Sequence, residues 1–477
     1  MKFNTKKRKV PEANTINFAG GPAFTQSRKL ELVSMLLTSF LEDQYYRKTS
    51  ATAVRLRELI ASIEDKTFVA KAALYARREA GMRSVSHLVA GELAHSVKGA
   101  DWTKRFYDRV SYRVDDVLEI LAYSMAVYGK PVPNSLKKGL GLALRRFDAY
   151  QLAKYRRESA ELKLVDAVNL LHPPHSEPLA QLVAGTLKAA ETWETKLTQA
   201  GQGAGDEVDK WIRKAEAWAG LVRSGKIGYF ALLRNLRNIL EDSPEVLPEA
   251  LALLQDQRRI EKSLVMPFRF QTALDAIQEA YTLPRRQEVI RALGVAVDRS
   301  LANVPRFEGR TLIALDGSGS MAGRSMKIGS LFASVIYRVN DADLLIFSDE
   351  AEFVTFNKDD STLTIAQQLA AHAKCAGTNF HAVFNRAVLP YDRVILLSDM
   401  QAWMGGNVPT ASFEAFVKRT HLRPKVYSFD LAGYGSLQFP EADVYALAGF
   451  SDKTMDTLRF LEQDQSALLH QIEAMEL

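Results

Sequence analysis

Three oxygen-bearing side chains alternate along a short segment that contains glycine. Asp316, Ser318 and Ser320 directly follow the apolar run TLIAL at 311–315, which predicts a buried strand. Open α/β sheets bind ligands at the carboxyl ends of their strands, and small hard cations prefer carboxylate and hydroxyl oxygens. The glycines allow the backbone to fold closely around such an ion. The segment therefore predicts a site for Mg²⁺, Mn²⁺ or Ca²⁺.

Two later segments supply further candidate ligands. Thr378 lies in a glycine-led segment that opens a predicted helix, and Asp399 follows the apolar run RVILL at 393–397. A serine or aspartate at a strand-to-helix turn more often caps the helix than binds a metal, so each residue alone is a weak signal. Their order along the chain favours one shared cation site. Such a site leaves a coordination position open for an acidic group of a partner.

Potential nucleophiles and sulfur ligands near these segments are better explained by packing. Cys375 lies close to His381 in the sequence, but a lone thiol beside a glycine is usually packed and inert. Met321, Met400 and Met404 are interpreted as core residues rather than as ligands. The sequence contains no P-loop and no second carboxylate cluster for two-metal chemistry. We therefore expect a binding protein and not an enzyme.

Charge is distributed unevenly along the chain. Residues 1–300 contain 47 lysines and arginines against 35 aspartates and glutamates, whereas residues 301–477 contain 15 against 21. A basic region of this size favours a polyanion, most simply a nucleic acid held through its phosphates. A basic surface that only keeps the protein soluble explains the charge about equally well.

Two basic segments are candidate phosphate contacts. The first is the run KKRK within residues 1–15, which lacks apolar periodicity and predicts a flexible arm. The second is a predicted helix whose cationic residues, seven and eight apart, lie on adjacent faces. Its candidates are Lys137, Lys138, Arg145 and Arg146. A solvated helix face explains this second set almost as well as RNA does.

The elements that position these residues differ between the two parts of the chain. Helical periodicity continues from about residue 29 to 300, with no alternating run that predicts a strand. Irregular, stacked HEAT-like helix pairs are therefore expected there, with the glycine-rich segment 198–206 as a connection. From about residue 305, apolar runs alternate with helical segments, which is typical of a parallel sheet. The runs are TLIAL, DLLIF, RVILL and KVYSF, and EFVTF at 352–356 is expected to be an antiparallel edge strand.

We thus expect a multidomain α and α/β protein. Its predicted parts are a flexible arm at 1–15, a helical domain at 16–304 and a Rossmann-like α/β domain with a C-terminal helix at 305–477. The single cysteine excludes an internal disulfide, and neither a leader nor an apolar run of roughly 20 residues is present. A cytoplasmic, membrane-independent setting is expected.

The predicted ligand pattern has a counterpart in a known domain family. Asp-x-Ser-x-Ser at 316–320, followed by Thr378 and Asp399 after later elements, resembles the metal-ion-dependent adhesion site of von Willebrand A domains. Residues from 310 to about 450 resemble that domain. The resemblance implies that these five side chains bind the metal directly or through water.

Three segments of the basic region resemble the TROVE module of Ro proteins. They are AGGP at 19–22, FDAYQLAKY at 147–155 and ALLRNLRN at 231–238. A TROVE module followed by an A domain covers nearly the whole chain. This resemblance implies a ring of HEAT-like helix pairs closed by the A domain. It also implies an outer basic face that binds small noncoding Y RNAs and a central hole that accepts single-stranded RNA ends.

The resemblance carries over to the outer RNA site at two positions. Lys154 and His172 match its lysine and its histidine. The arginine expected one turn after the lysine is replaced by Glu158, and two arginines precede that glutamate. We expect Arg157, with Arg156 beside it, to take the role of that arginine, because it lies on a nearby face of the same helix and can bind phosphate with two hydrogen bonds.

Arg234 and Arg237 lie three apart within an otherwise apolar helical pattern. They either line the hole implied by the resemblance or pair with buried acids that hold neighbouring repeats together, and we favour the second interpretation.

These features together predict a non-catalytic, Ro-like ribonucleoprotein component in RNA quality control. The protein is expected to be monomeric and to bind small noncoding structured RNA and single-stranded RNA ends. An exoribonuclease and an acidic protein ligand at the metal are further partners that fit this interpretation. Two rival interpretations remain open. One is a metal-dependent protein-interaction scaffold without RNA, and the other is a metal-dependent hydrolase that acts on RNA.

Overall fold

The fold is that of two compact units. A computed structural model describes residues 12–25, 27–38, 49–156, 162–188, 196–197, 200–201, 205–225, 227–434, 436–440, 444–448 and 467–477. One unit contains the described residues of Asp65–Val304 together with Met475–Leu477, and the other contains those up to Glu64 together with Pro305–Ala474. No helix in these ranges is both long and apolar enough to cross a membrane.

The first unit is helical throughout its described residues. Its helices are α3 Lys66–Arg78, α4 Ser84–Ser96, α5 Thr103–Val110, α6 Val114–Tyr128, α7 Asn134–Arg146, α8 Ala149–Lys154, α9 Leu164–Leu171, α10 Glu177–Val183, α11 Glu207–Arg223, α12 Tyr229–Asp242, α13 Leu247–Gln255, α14 Gln257–Ser263, α15 Gln271–Glu279 and α16 Arg286–Ser300. Helices close in sequence pack on one another, as α5 does on α7 and α13 does on α16. The predicted succession of stacked helices is confirmed.

Aspartates fix where several of these helices begin. Each accepts a hydrogen bond from a backbone N–H three residues further on, which satisfies a donor that the first helical turn leaves without a partner. These aspartates are Asp65, Asp148, Asp206 and Asp256. A cap of this kind contributes about 1 kcal/mol of helix stability.

A buried ionic cluster ties α3, α4 and α6 together. The carboxylate of Asp116 on α6 accepts hydrogen bonds from Arg77 on α3 at 2.7 Å and from His87 on α4 at 2.8 Å. It also accepts the backbone N–H of Arg113 at 2.8 Å. Because Asp116 is fully buried, each of its oxygens requires such a partner. His87 is therefore a core residue with its hydrogen bonding satisfied.

The second unit is built on a six-stranded sheet. Its strands are β3 Thr311–Asp316, β4 Ala342–Phe347, β5 Ala351–Val354, β6 Arg393–Ser398, β7 Lys425–Asp430 and β9 Tyr445–Ala448, in the order β5-β4-β3-β6-β7-β9. All neighbours are parallel except β5, which runs antiparallel to β4. The helices are α17 Arg324–Val339, α18 Thr362–Ala371, α19 Phe380–Arg386, α20 Thr410–Thr420 and α21 Ala467–Glu473. The four central strands and the antiparallel edge strand are confirmed as predicted.

The order of the strands defines where a ligand would bind. From β3 the chain proceeds outward through β4 and β5, then returns to the other side of β3 with β6 and continues through β7 to β9. The carboxyl ends of β3 and β6 therefore flank the point at which the strand order reverses. Open α/β sheets place ligands at such a switch point.

The N-terminal residues belong to the second unit, which differs from the predicted boundary at 16–304. Strands β1 Thr15–Ile16 and β2 Pro22–Thr25 form a small sheet with β8 Ser436–Leu437, and helices α1 Arg28–Thr38 and α2 Thr49–Ser62 follow. Phe24 of β2 pairs with Leu437 and packs with Leu30 and Val408. This shared core groups the described residues up to Glu64 with the sheet. The predicted border near residue 304 coincides with the division between the units.

Three predicted segments lie partly or mainly outside the described residues: the arm 1–15, the connection 198–206 and the beginning of the C-terminal helix.

Candidate cation site and nucleic-acid interface

Asp316 ends β3 at the switch point and is completely buried. Its Oδ1 accepts the backbone N–H of Ser318 at 2.9 Å, and its Oδ2 accepts the hydroxyl of Ser398, the last residue of β6. The hydroxyls of Ser318 and Ser320 lie 3.3 Å apart. The ends of β3 and β6 and the turn after β3 thus bring four oxygen-bearing side chains together.

The segment that carries Thr378 is bound to the same turn by its backbone. Gly319 donates its N–H to the carbonyl of Ala376 at 3.2 Å, and Cys375 donates its own to the carbonyl of Gly317 at 2.9 Å. Thr378 itself is 2% exposed. The structure therefore places this predicted ligand in the segment that packs directly on the Asp316 turn.

Asp399 follows β6 and is 1% exposed. Its Oδ1 accepts the backbone N–H of Gln401 at 3.1 Å. Its Oδ2 is buried and has no hydrogen-bond partner among the described residues. A buried carboxylate oxygen of this kind is costly unless a cation or a donor meets it.

Burial shifts the ionisation of both carboxylates. Burial, and then the neighbouring Asp399, raise the pKa of Asp316 from 3.8 to about 7. Burial also raises the pKa of Asp399. The hydroxyl of Ser320 lowers this pKa, but burial has the larger effect. A divalent ion favours the ionised form of the carboxylates that bind it, which is the opposite effect. The residues present, with an oxygen of Asp399 left without a partner, therefore fit a small divalent cation.

The site differs from a carboxylate cage. No group of three His, Cys, Asp or Glu side chains suited to a metal occurs in the part of the chain that the structure describes. Two carboxylates and three hydroxyls, all hard oxygen donors, are the set available. This composition suits magnesium, manganese or calcium and disfavours softer ions.

The sulfur and imidazole groups nearby differ in their surroundings, and Cys375 is exposed rather than packed as the sequence predicts. His381 contacts the hydroxyl of Ser412 through Nδ1 and the carbonyl of Asn407 through Nε2, each at 2.8 Å. Both ring nitrogens are therefore occupied, which disfavours a catalytic pair with Cys375. Met321 and Met400 are buried in the core, as the sequence predicts.

Four of the predicted RNA ligands lie on α7 or on the turn that packs against it, and we call this set the α7 surface. Gly141 lies in the middle of this helix, and a β-carbon there would stand 3.3 Å from the Cα of Pro173. The turn that carries His172 therefore packs against α7. His172 is exposed, with a left-handed φ of 49°. The helix contributes three further residues to this surface: Lys137, Lys138 and Arg145.

The remaining predicted RNA ligands have different positions. Lys154 is exposed at the end of α8, with its Nζ 5.8 Å from the ring centre of Tyr155. Arg156 is half-buried and Arg157 lies outside the described residues. Arg146 donates hydrogen bonds to Asp108, at its side chain and its carbonyl, so it ties α7 to α5. We therefore assign Arg146 mainly a structural role.

Sequence reasoning missed an aromatic and cationic cluster formed by the ends of α3, α5 and α7 and the turn after α5. Tyr112 is 54% exposed, and the guanidinium of Arg78 lies 5.3 Å from its ring centre. Burial, and then the positive charges of Arg146 and Arg109, lower the pKa of Arg78. The cluster therefore concentrates positive charge around an exposed aromatic ring. Its members are far apart in the sequence, which hides the pattern.

The preferred interpretation of Arg234 and Arg237 is not supported. Both are exposed on α12, and neither forms an ion pair or a hydrogen bond within the described residues. Phe230, 44% exposed, lies one turn earlier on the same side of the helix. The buried side of α12 is formed mainly by leucines and an isoleucine, with Tyr229 and Asn235. We call Phe230, Arg234 and Arg237 the α12 face.

Comparison with known proteins identifies part of this chain. The TROVE domain family model matches residues 176–316, a range that includes the α12 face. The crystal structure of the Deinococcus radiodurans RO (RSR) protein matches with a TM-score of 0.62 and 18% identity, covering 91% of this chain and 100% of that one. This match confirms the predicted fold class, a helical domain with an α/β domain.

Two curated relatives match about half of the chain. Telomerase protein component 1 of Mus musculus and that of Rattus norvegicus are each 21% identical, over 53% of this chain. The alignments span 13% of those proteins' length. The predicted resemblance is confirmed at this level: the TROVE domain family model matches residues 176–316, and the chain has the fold of the Deinococcus radiodurans RO protein.

Proposed function

We propose that this protein is a non-catalytic RNA-binding ribonucleoprotein component whose helical unit binds phosphates and bases. The observation that carries the proposal is the α12 face, within the matched TROVE domain. Its arginines Arg234 and Arg237 face solvent without a protein partner in the described chain, and Phe230 exposes a ring beside them. Arginine binds phosphate with paired hydrogen bonds, and an exposed aromatic ring stacks on unpaired bases.

The α7 surface supports the same proposal for structured RNA. Its lysine, arginine and histidine side chains come from α7 and from the turn after α9, which pack together at Gly141. A rigid array of cations suits the phosphate backbone of a folded RNA, which is recognised largely by shape. In line with the resemblance, we propose a small noncoding, Y-like RNA here and single-stranded RNA ends as the second ligand.

We further propose that the α/β unit is a von Willebrand A domain with a divalent-cation site. Asp316, Ser318, Ser320, Thr378 and Asp399 would hold the ion, and its open position would accept an acidic group of a partner protein. When bound, the cation supplies positive charge that neutralises the two buried carboxylates. The orphaned Oδ2 of Asp399 supports this assignment. A cytoplasmic, monomeric protein in RNA quality control, with an exoribonuclease as partner, completes the proposal.

Nucleic acid that copurifies with the protein tests the proposal against its rival. The RNA-binding proposal predicts a high ratio of absorbance at 260 nm to 280 nm, which ribonuclease lowers and deoxyribonuclease does not. A ratio typical of pure protein, with no uptake of added RNA at low salt, would favour a metal-dependent protein-interaction scaffold. Cleavage of labelled RNA that Asp316→Ala abolishes would favour a hydrolase instead.

A further inference from the structure

An N-terminal turn contacts the segment that carries Asp399. Asn17 and Phe18 lie between β1 and β2, more than 380 residues away in the sequence from the groups they contact. The amide nitrogen of Asn17 donates to the carbonyl of Ala402, and the backbone N–H of Phe18 donates to Oε1 of Gln401 at 2.8 Å. Both acceptors lie within three residues of Asp399.

The turn itself is rigid and closely fitted. Oδ1 of Asn17 accepts the backbone N–H groups of Ala19 at 3.0 Å and Gly21 at 2.9 Å. A β-carbon at Gly21 would stand 2.1 Å from the carbonyl oxygen of Ala402, which no real side chain allows. Glycine is therefore required where the turn meets the segment after Asp399.

Gln401 transmits this contact to the candidate ligand. Its side chain is fully buried and donates to the backbone carbonyl of Asp399 at 3.2 Å and to the hydroxyl of Ser436 at 3.1 Å. Its backbone N–H donates to Oδ1 of Asp399 at 3.1 Å. Oδ1 is thereby fixed by the protein, and Oδ2 is the oxygen left without a partner in the described chain.

The same segment is held from the opposite side by the Thr378 segment. Trp403 and Met404 donate their backbone N–H groups to the carbonyl of Thr378 at 3.3 and 3.2 Å. A β-carbon at Gly377 would stand 2.6 Å from the sulfur of Met404, so these two segments also touch closely. Residues 399–404 are thus enclosed between the N-terminal turn and a second ligand segment.

We propose that Asn17 and Gln401 are positioning residues for the cation site, and that the Asn17–Gly21 turn clamps the Asp399 segment so that Oδ2 faces the ion. This inference rests on the proposed cation site. Partners that orient a metal-binding side chain contribute to affinity although they do not touch the metal. The N-terminal turn is then part of the cation site although no ligand lies in it.

The test compares Mn²⁺ binding by full-length wild type, Asn17→Ala, Asn17→Asp and Asn14→Ala, measured by calorimetry. Asn14 is the matched control, because its side-chain bonds lie within the N-terminal hairpin, to the N–H and hydroxyl of Thr25. Asn17→Asp keeps the acceptor for Ala19 and Gly21 but loses the donor to Ala402. We expect both Asn17 variants to weaken Mn²⁺ binding about tenfold to a hundredfold, and Asn14→Ala to bind as wild type does.

Thermal unfolding in EDTA measures how much stability each variant loses without cation. This separates a general loss of stability from a specific loss of Mn²⁺ affinity. We expect the Asn17 variants to lose more stability than Asn14→Ala, because Asn17 is buried and Asn14 is exposed, so Mn²⁺ affinity is compared at a temperature at which every variant is folded. Equal Mn²⁺ affinity in wild type and the Asn17 variants would overturn the clamp, and so would an equal loss in Asn14→Ala. No Mn²⁺ binding by wild type would instead overturn the cation site on which the clamp rests.

Discussion

Ser398 donates its hydroxyl hydrogen to Asp316 across the point at which the strand order of the sheet reverses. The bond joins the ends of two adjacent parallel strands, β3 and β6, and leaves Asp399 directly beside the Asp316 carboxylate. Two buried acids side by side contribute little to folding by themselves. The proposed cation, bound by both carboxylates, would offset the cost of placing them together.

Asp399→Asn separates cation binding from folding. Removing one of two neighbouring buried carboxylates relieves like-charge repulsion, so the variant should be at least as stable as wild type in EDTA. A ligand that binds only the folded state stabilises that state by mass action. We therefore expect Mn²⁺ to raise the thermal stability of wild type and to leave that of the variant unchanged. Thermal unfolding with and without Mn²⁺ measures both. An equal gain in wild type and variant would contradict the site.

The double variant Arg234→Ala/Arg237→Ala tests the α12 face. Removing one cation that binds phosphate should reduce the slope of log affinity for single-stranded RNA against log salt by about 0.7, so we expect a change of about 1.4 for the two arginines. Both side chains are exposed, so the free energy of unfolding should stay near that of wild type. Fluorescence anisotropy with labelled oligonucleotide at several salt concentrations gives the slope.

Glu241→Gln is the matched control for the α12 face, because it removes a negative charge where the double variant removes positive ones. Glu241 is exposed one turn after Arg237 on the same side of α12, and its carboxylate repels a phosphate backbone. Removing this charge should strengthen RNA binding, whereas an α12 face that does not meet RNA would give no change in either variant.

Lys137→Ala/Arg145→Ala tests the α7 surface. We expect weaker binding of a structured RNA with a salt slope lowered by about 1 to 2, because the variant lacks two cations that would bind phosphates. Binding of a single-stranded oligonucleotide should change less, since the α12 face remains intact. Native gel shifts with the two RNAs compare them. A loss of binding confined to the single-stranded oligonucleotide would contradict the assignment of structured RNA to the α7 surface.

Asp116→Asn tests the buried ionic cluster of the helical unit. Burial alone raises the pKa of Asp116, but hydrogen bonds from His87 and Arg77 outweigh it and hold the pKa below 3.8. A group with a lowered folded pKa contributes stability above its unfolded pKa and loses it as the pH falls through the folded one. We expect Asp116→Asn to cost about 3 kcal/mol at neutral pH.

The pH dependence supplies the control for this cluster. The cost of Asp116→Asn, measured by urea unfolding, should shrink as the pH falls below 3.8 towards the lower pKa of the folded carboxylate, because the carboxyl of the unfolded wild-type chain then gains a proton. A cost that stays constant down to the pH at which the wild type unfolds would contradict the ionic role of Asp116.

Sequence reasoning located the strands that bear Asp316 and Asp399 because each is a continuous apolar run buried on both faces. It missed β1, β2, β8 and β9, which are two to four residues long. Of these, β2 and β8 pair across about 410 residues of chain. The clamp of Asn17 on Ala402 follows from that pairing and leaves no local signal. Helical periodicity showed that Arg234 and Arg237 interrupt an apolar pattern, but periodicity does not show what a helix face meets, so the favoured buried pairing failed.

The central claim, that the helical unit binds RNA, is tested most directly by titrating the full-length protein into a labelled structured RNA with a single-stranded 3′ tail at two salt concentrations. Wild type, the quadruple change Lys137→Ala/Arg145→Ala/Arg234→Ala/Arg237→Ala and Asp399→Asn are compared, with polyglutamate as competitor. We predict saturable binding that weakens with salt, is lost in the quadruple variant, persists in Asp399→Asn and resists polyglutamate. No binding at low salt, or binding that polyglutamate displaces as readily as RNA does, would contradict the account and favour a protein-interaction scaffold.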